Sequence, residues 1–217
     1  KRIGFVYKKP KVVPGKADGK VQEEFLKNVL EPCLKKASDE HPVYFSDAVH
    51  PTHNVLPHYG WILKGSDKAI KTNSGRQRVN INGAICFHTN DVVYREDETI
   101  NRDSAVSLLS MIRSKHDERI EITVILDNAR YNWAKEVTEY ASLHKINLLF
   151  LPSYSPNLNL IERFWKYFKE NVCTRYYEHF GEFKKAVTDF LDNAAKYKDD
   201  LTSLLSPNFR IMDTLNF

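Results

Sequence analysis

Apolar positions alternate between two spacings along this chain, and the switches between them mark its elements. Over residues 21–36, Val21, Phe25, Leu26, Val29, Leu30, Cys33 and Leu34 recur at helical spacing. Val43-Tyr44-Phe45, running into Ser46-Asp47, reads as a strand. Residues 48–74 break the pattern with His, Pro and Gly, leaving residues 59–63 as a short strand. Residues 78–88 and 91–96 read as a hairpin turning at Thr89-Asn90, and Asp103 as the cap of a helix over 104–115. The second half alternates more cleanly: strand 120–126, helix 133–143, strand 146–151. Pro152-Ser153-Tyr154-Ser155-Pro156 is a stiff connector, because each proline fixes its own φ and biases its predecessor away from helix. Helices over 158–174 and 180–196 follow. A meander and then strand–helix–strand–helix predicts an α/β fold, a mixed sheet flanked by helices.

Composition narrows the class. The 217 residues suffice for one substantial domain, and 42% hydrophobic with 28% charged residues excludes disordered and fibrous chains. The apolar run at 146–151 contains Asn147 and is too short to span a bilayer, and residues 1–20 lack the apolar core of a signal peptide. The expectation is a soluble protein with no membrane partner. Cys33, Cys86 and Cys173 form no CxxC pair, which argues against a disulfide framework and for a reducing compartment. The net charge is only +4, but Lys1, Arg2, Lys8, Lys9, Lys11, Lys16 and Lys20 face a single acid, Asp18, in the first twenty residues. Such an arm reads as a solvated end or, beside other nucleic-acid features, as a phosphate contact through Lys8, Lys9 and Lys11. The expected organisation is a basic arm over 1–20, one domain over 21–200 and a tail over 201–217. The chain starts at Lys1 rather than Met, so an upstream portion is expected to be missing.

Three acids stand out by position. Asp47 ends the first strand, Asp127 ends the strand 120–126, and Glu162 lies near the start of the helix after the proline connector. An ionised carboxylate at the end of a buried strand costs several kcal/mol unless it is paired or bound to a cation. Ligands of α/β sheets gather outside the carboxyl ends of strands, so these acids together suit one or two Mg²⁺ or Mn²⁺ ions, which favour oxygen ligands. Taken singly, each has a plainer reading: Asp47 as a turn residue, Asp127 as a helix cap, Glu162 as a partner of the positive helix terminus. On the helix over 158–174, Ile161, Trp165, Phe168 and Val172 form an apolar stripe beside Glu162, Lys166 and Lys169. Lys166 and Lys169 are therefore candidate phosphate contacts, as are Arg130 and Arg163.

The segments around these acids resemble a known family. Ile125-Leu126-Asp127-Asn128-Ala129-Arg130-Tyr131 and Leu151-Pro152-Ser153-Tyr154-Ser155-Pro156-Asn157-Leu158-Asn159-Leu160-Ile161-Glu162-Arg163-Phe164-Trp165 are similar to two catalytic blocks of IS630-group transposases, in the IS630/Tc1/mariner superfamily. Tyr44-Phe45-Ser46-Asp47-Ala48-Val49-His50-Pro51 resembles the block around the first aspartate. So do segments at 73–76, 80–84 and 98–101, and 34 residues lie between Asp127 and Glu162, the spacing typical of that superfamily. The resemblance implies an RNase H-like (retroviral integrase-like) catalytic domain with a five-stranded sheet. Asp47, Asp127 and Glu162 would be its metal ligands and catalytic residues, using a two-metal Mg²⁺ or Mn²⁺ site. It further implies cut-and-paste cleavage and strand transfer of an insertion element at TA targets. The partners would be double-stranded DNA, as element ends and target, and a second copy of the chain in a synaptic complex. The location implied is cytoplasmic and nucleoid-associated. A preceding helix-turn-helix region, usual in the family, has no counterpart here. Related sequences often carry His five residues after the second aspartate, where this chain has Asn132.

Weaker signals complete the picture. His50, Thr52, His53 and His58 have only loose metal-ligand spacing. Trp61, Tyr131 and Tyr154 are candidates for stacking on unpaired bases, with core packing the favoured alternative for Trp61 and Tyr154 retained as a DNA contact. No Gly-Lys-Ser/Thr follows the glycines, which excludes a P-loop and a nucleotide cofactor. Two other functions stay open from the residues: a nuclease of the same fold without strand transfer, and a non-catalytic DNA-binding remnant.

Overall fold

Period-two alternation in the strands divides the protein into two apolar layers, one on each face of a sheet. The structure, a computed structural model, describes residues 14–212. Its five-stranded sheet has the order β3-β2-β1-β4-β5, with β1 Val43–Val49, β2 Ile81–Cys86, β3 Val92–Glu96, β4 Ile122–Leu126 and β5 Ile146–Phe150. β1–β2 and β2–β3 are antiparallel, while β1–β4 and β4–β5 are parallel. This is the mixed sheet expected. Asn90 makes the β2–β3 turn at φ 63, a left-handed position that asparagine tolerates better than most residues.

Phe45, Ile81, Ile85 and Ile125 face one way and pack with helices α5 (Ile161–Val172), α6 (Phe180–Asp192) and α7 (Lys198–Leu204). Tyr44, Ala84, Cys86, Ile122 and Val124 face the other way, against α3 (Arg102–Arg113) and α4 (Lys135–Leu143). α3 is capped by Asn101 rather than Asp103: the Asn101 side chain accepts from the Asp103 and Ser104 amides. The first helix is capped by Asp18 and runs as α1 Gly19–Phe25, a π-turn at Leu26–Leu30 and α2 Glu31–Lys35. Pro32 has no N–H to offer Asn28, and the Glu31 amide reaches back to the Leu26 carbonyl instead.

Other expectations fail. Residues 59–63 form no strand, and Trp61, expected in the core, stands fully exposed with Tyr59 and Leu63. Neither sheet face has room left for it, because α5 and α6 cover one and α3 and α4 the other. The expected boundary after residue 200 falls inside α7, whose Leu201 is buried, as is Leu205 just beyond. Among the described residues, no helix is long and apolar enough to cross a membrane.

One glycine sets how closely α5 approaches the sheet. Gly83 pairs with Asp47 across β1–β2, and a Cβ there would meet two ring atoms of Trp165 at 2.8 and 2.9 Å. The bare backbone lets the Trp165 indole lie on the strand beside Asp47. Glu162, almost one helical turn earlier, is thereby held over the same end of the sheet.

Candidate active site

Asp47, Asp127 and Glu162 come together. Asp47 shares the face of Phe45 and Val49, the face covered by α5. Asp127 follows β4 directly and extends the face of Ile125. β1 and β4 are parallel, so both aspartates sit at the same, carboxyl end of the sheet, the end where α/β proteins place ligands. All three acids line one cleft of about 480 Å³, with Asn128, Asn159 and the connector from Leu151 to Pro156.

Their electrostatics are those of crowded like charges. Burial, then the Glu162 carboxylate and Asp127, push Asp47 up to about 7 from an ordinary 3.8, and Lys169 pulls it back in part. Glu162 is raised by burial and by Asp127, and lowered by Lys169. A divalent cation between them would relieve both effects. Among the described residues, no three His, Cys, Asp or Glu side chains converge as a ready-made cage for one ion. That is compatible with Mg²⁺ or Mn²⁺, which are commonly held through one or two carboxylates, the rest of the shell coming from water and phosphate. The donor set is oxygen only, which suits these ions and not zinc.

Asparagines hold the acids in place, and of these only Asn132 was singled out in the sequence. The Asn132 Nδ2, buried, donates to Asp127 Oδ1 at 3.0 Å, and the Ala129 amide donates to the same oxygen at 3.1 Å. Asn132 thus fixes the orientation of the Asp127 carboxylate. Asn128 Nδ2 donates to the Leu151 carbonyl, tying the end of β4 to the connector. Asn159 Nδ2 donates to the Ser46 carbonyl at 3.1 Å, next to Asp47. The available signal was asparagine density: Asn128, Asn132, Asn157 and Asn159 all lie within reach of an acid in sequence.

The expected DNA contacts divide. Lys166 and Lys169 share a second groove with Glu162, beside Leu56, Pro57 and His58, so α5 does present acid and cations on one side. Tyr154 lines the cleft, half exposed, at φ 58 with the Lys16 ammonium 5.7 Å over its ring. Arg130 opens the 3₁₀ turn Arg130–Trp133 and is exposed. Arg163 is engaged elsewhere. Its guanidinium donates to the carbonyls of Leu204, Ser206 and Asn208 and stacks over Phe209, anchoring the C-terminal segment. One position along a helix is a turn of about 100°, enough to carry Arg163 off the face of Glu162. Lys8, Lys9 and Lys11 lie outside the described residues.

The histidines after Asp47 do not form a metal site. His53 is buried between Phe180 and Phe183, its Nε2 paired with the Tyr177 carbonyl at 2.9 Å, and His50 pairs with Asn80 at 2.8 Å. Tyr131 is half-buried against the α3–α4 core.

Comparison with known proteins agrees with this geometry. The sequence profile described as DDE superfamily endonuclease matches residues 42–184, a span that contains all three acids. An uncharacterized 39 kDa protein of insertion element IS630 from Shigella sonnei is 24% identical over 170 residues. That alignment covers 77% of this chain and 50% of the relative, so the chain spans about half the length of the curated relative it matches. Among solved structures, the Mos1 mariner paired end complex with Mn superposes with a TM-score of 0.70 at 14% identity, covering 94% of this chain and 64% of that one. The catalytic domain of Mos1 mariner transposase superposes at 0.60 with 17% identity, covering 89% and 91%. At these identities the likeness is one of fold: an RNase H-like sheet flanked by helices.

Proposed function

The chain belongs to the DDE superfamily endonucleases, and from that premise we propose that it is the catalytic domain of an IS630/Tc1/mariner-type transposase that cuts and joins DNA. The observation that carries this reading is the meeting of Asp47, Asp127 and Glu162, from three elements far apart in sequence, on one cleft at the carboxyl end of β1 and β4. The three carboxylates would hold Mg²⁺ or Mn²⁺, as one or two ions. When bound, these ions supply charge neutralisation at the attacked phosphodiester.

The chain's own residues do the rest by positioning. Asn132 and the Ala129 amide occupy one oxygen of Asp127 and set the orientation of its carboxylate. Lys166 and Lys169, along the groove that continues from Glu162, would bind the backbone phosphates of the DNA. Tyr154 and Arg130 would be further contacts to that DNA, and Lys8, Lys9 and Lys11, outside the described residues, would add phosphate-binding charge. Water would cleave the phosphodiester into a 3′-hydroxyl and a 5′-phosphate; that 3′-hydroxyl would then attack a target phosphodiester at the same centre and displace the target strand's own 3′-oxygen as a hydroxyl, in a cut-and-paste reaction at TA. Two copies of the protein on paired element ends, in the cytoplasm at the nucleoid, complete the proposal.

The test is cleavage of a labelled element-end duplex in Mn²⁺ by Asp47→Ala, Asp127→Ala and Glu162→Ala variants, with duplex retention measured alongside. Each variant is expected to lose cleavage and to keep its hold on DNA. Cleavage surviving in any one of them would overturn the assignment of the three acids.

A further inference from the structure

The ladder between β1 and β4 stops early, and one asparagine fills the place where it stops. Thr123 N–H donates to the Pro42 carbonyl at 2.9 Å, so the alternate residues Tyr44 and Ser46 also turn their backbone groups towards β4. The paired register ends at Phe45 and Ile125. Had it continued, the Ser46 carbonyl would have received the Asp127 amide. The Asn159 carboxamide takes that carbonyl instead, Nδ2 to oxygen at 3.1 Å, while the Asn159 carbonyl accepts the Glu162 amide at 3.2 Å. A single residue therefore bonds to the backbone beside Asp47 and to the backbone of Glu162, and stands where the strand bearing Asp127 parts from β1.

Asn159 is only 4% exposed and lines the cleft of the three acids. Its Oδ1 is buried with no hydrogen-bond partner. Buried carboxamide oxygens are nearly always satisfied, and the exceptions call for an explanation. The Nδ2 bond explains half of this side chain. With Oδ1 closed off from solvent, what fixes the side chain is the Nδ2 bond to the Ser46 carbonyl, kept although the oxygen is left without a partner.

We propose that Asn159 is a positioning residue for the cation site: by tying the backbone beside Asp47 to the first turn of α5, it sets the separation of Asp47, Asp127 and Glu162. This rests on the proposed metal-binding role of the three acids. Groups that orient metal ligands typically change affinity by about 10–100-fold when removed, and Asn159 acts here on the backbone of two ligands at once.

The test is Mn²⁺ binding by titration calorimetry, without DNA, on the wild-type chain, Asn159→Ala, Asn159→Ser and Asp127→Ala. Val187→Ala, a buried position on α6 away from the cleft, controls for loss of stability, and thermal unfolding is recorded for each. The expected result is an affinity at least about tenfold weaker in both Asn159 variants, with Val187→Ala like the wild type even where it unfolds at the same temperature as the Asn159 variants. The serine variant serves if alanine prevents folding. Wild-type affinity in the Asn159 variants, with Asp127→Ala weakened, would overturn the positioning role and leave the metal site standing. Equal weakening in Val187→Ala would overturn it too, as a general loss of stability. No Mn²⁺ binding by the wild type, or none lost in Asp127→Ala, would overturn the metal site itself.

Discussion

At the scale of single residues, Asp47 is where the chain carries its cost. Its proton leaves near pH 7 in the folded protein against 3.8 ordinarily, because burial and the carboxylate of Glu162 disfavour the charge. A raised folded pKa contributes stability that is fully present below about pH 4 and is lost as the pH rises to 7. In cation-free buffer, Asp47→Asn is therefore expected to gain stability over the wild type between pH 5 and pH 8. The gain should be about 1–2 kcal/mol, discounted for the part of the carboxyl that solvent reaches. Urea unfolding at the two pH values in a chelator measures it, and parallel pH profiles for the two proteins would contradict it. The same proton competes with a cation for Asp47, so cation binding should strengthen over this pH interval. Arg163 gives a second lesson at this scale. It stands beside Glu162 in sequence, yet its guanidinium is bonded to three carbonyls of the C-terminal segment. Proximity in sequence says little on a helix, where neighbouring residues leave on different faces.

At the scale of elements, the decisive contact is α5 against β2. The amphipathic period of α5 was readable in the sequence, and Phe164, Trp165 and Phe168 are buried as a helix of that pattern requires. What the sequence did not announce is that Gly83 makes room for the Trp165 ring. Gly83→Ala would place a methyl group at 2.8 Å from that ring, with the indole held between the sheet and α5. The expected cost is about 1–3 kcal/mol, and α5 should move outwards, carrying Glu162 away from Asp47. Urea unfolding together with a cleavage assay checks both parts; unchanged stability would show that α5 yields without strain. Strands were legible for a related reason. β1, β3 and β4 are short runs rich in β-branched and aromatic residues, whereas residues 59–63 are equally apolar but pair with no strand. An apolar run specifies a strand only when a neighbouring edge is free to receive it.

At the scale of the molecule, the mixed sheet was legible because period-two strands and a proline connector are local patterns; the three acids drew notice as carboxylates at strand ends, yet Asp47 lies inside β1, two residues before its end and paired with Gly83. The frame around the acids was not legible: Asn128 and Asn159 act through long-range bonds to Leu151 and Ser46, and Asn132, five residues from Asp127, is turned back to it by the 3₁₀ turn Arg130–Trp133. An asparagine reads as a turn residue until the chain is folded. The C-terminal boundary was missed for the same kind of reason, because Leu201 and Leu205 join the α5–α6 core only in three dimensions. The central claim, that this sheet end carries out both cleavage chemistry and joining, is tested most directly by strand transfer. A pre-cleaved, labelled element end is incubated with supercoiled plasmid and Mg²⁺ or Mn²⁺, beside Asp127→Ala. Joined product is expected that requires the cation and disappears in the variant. Joined product from the variant, or none from a wild-type chain that binds both the DNA end and the cation, would contradict it.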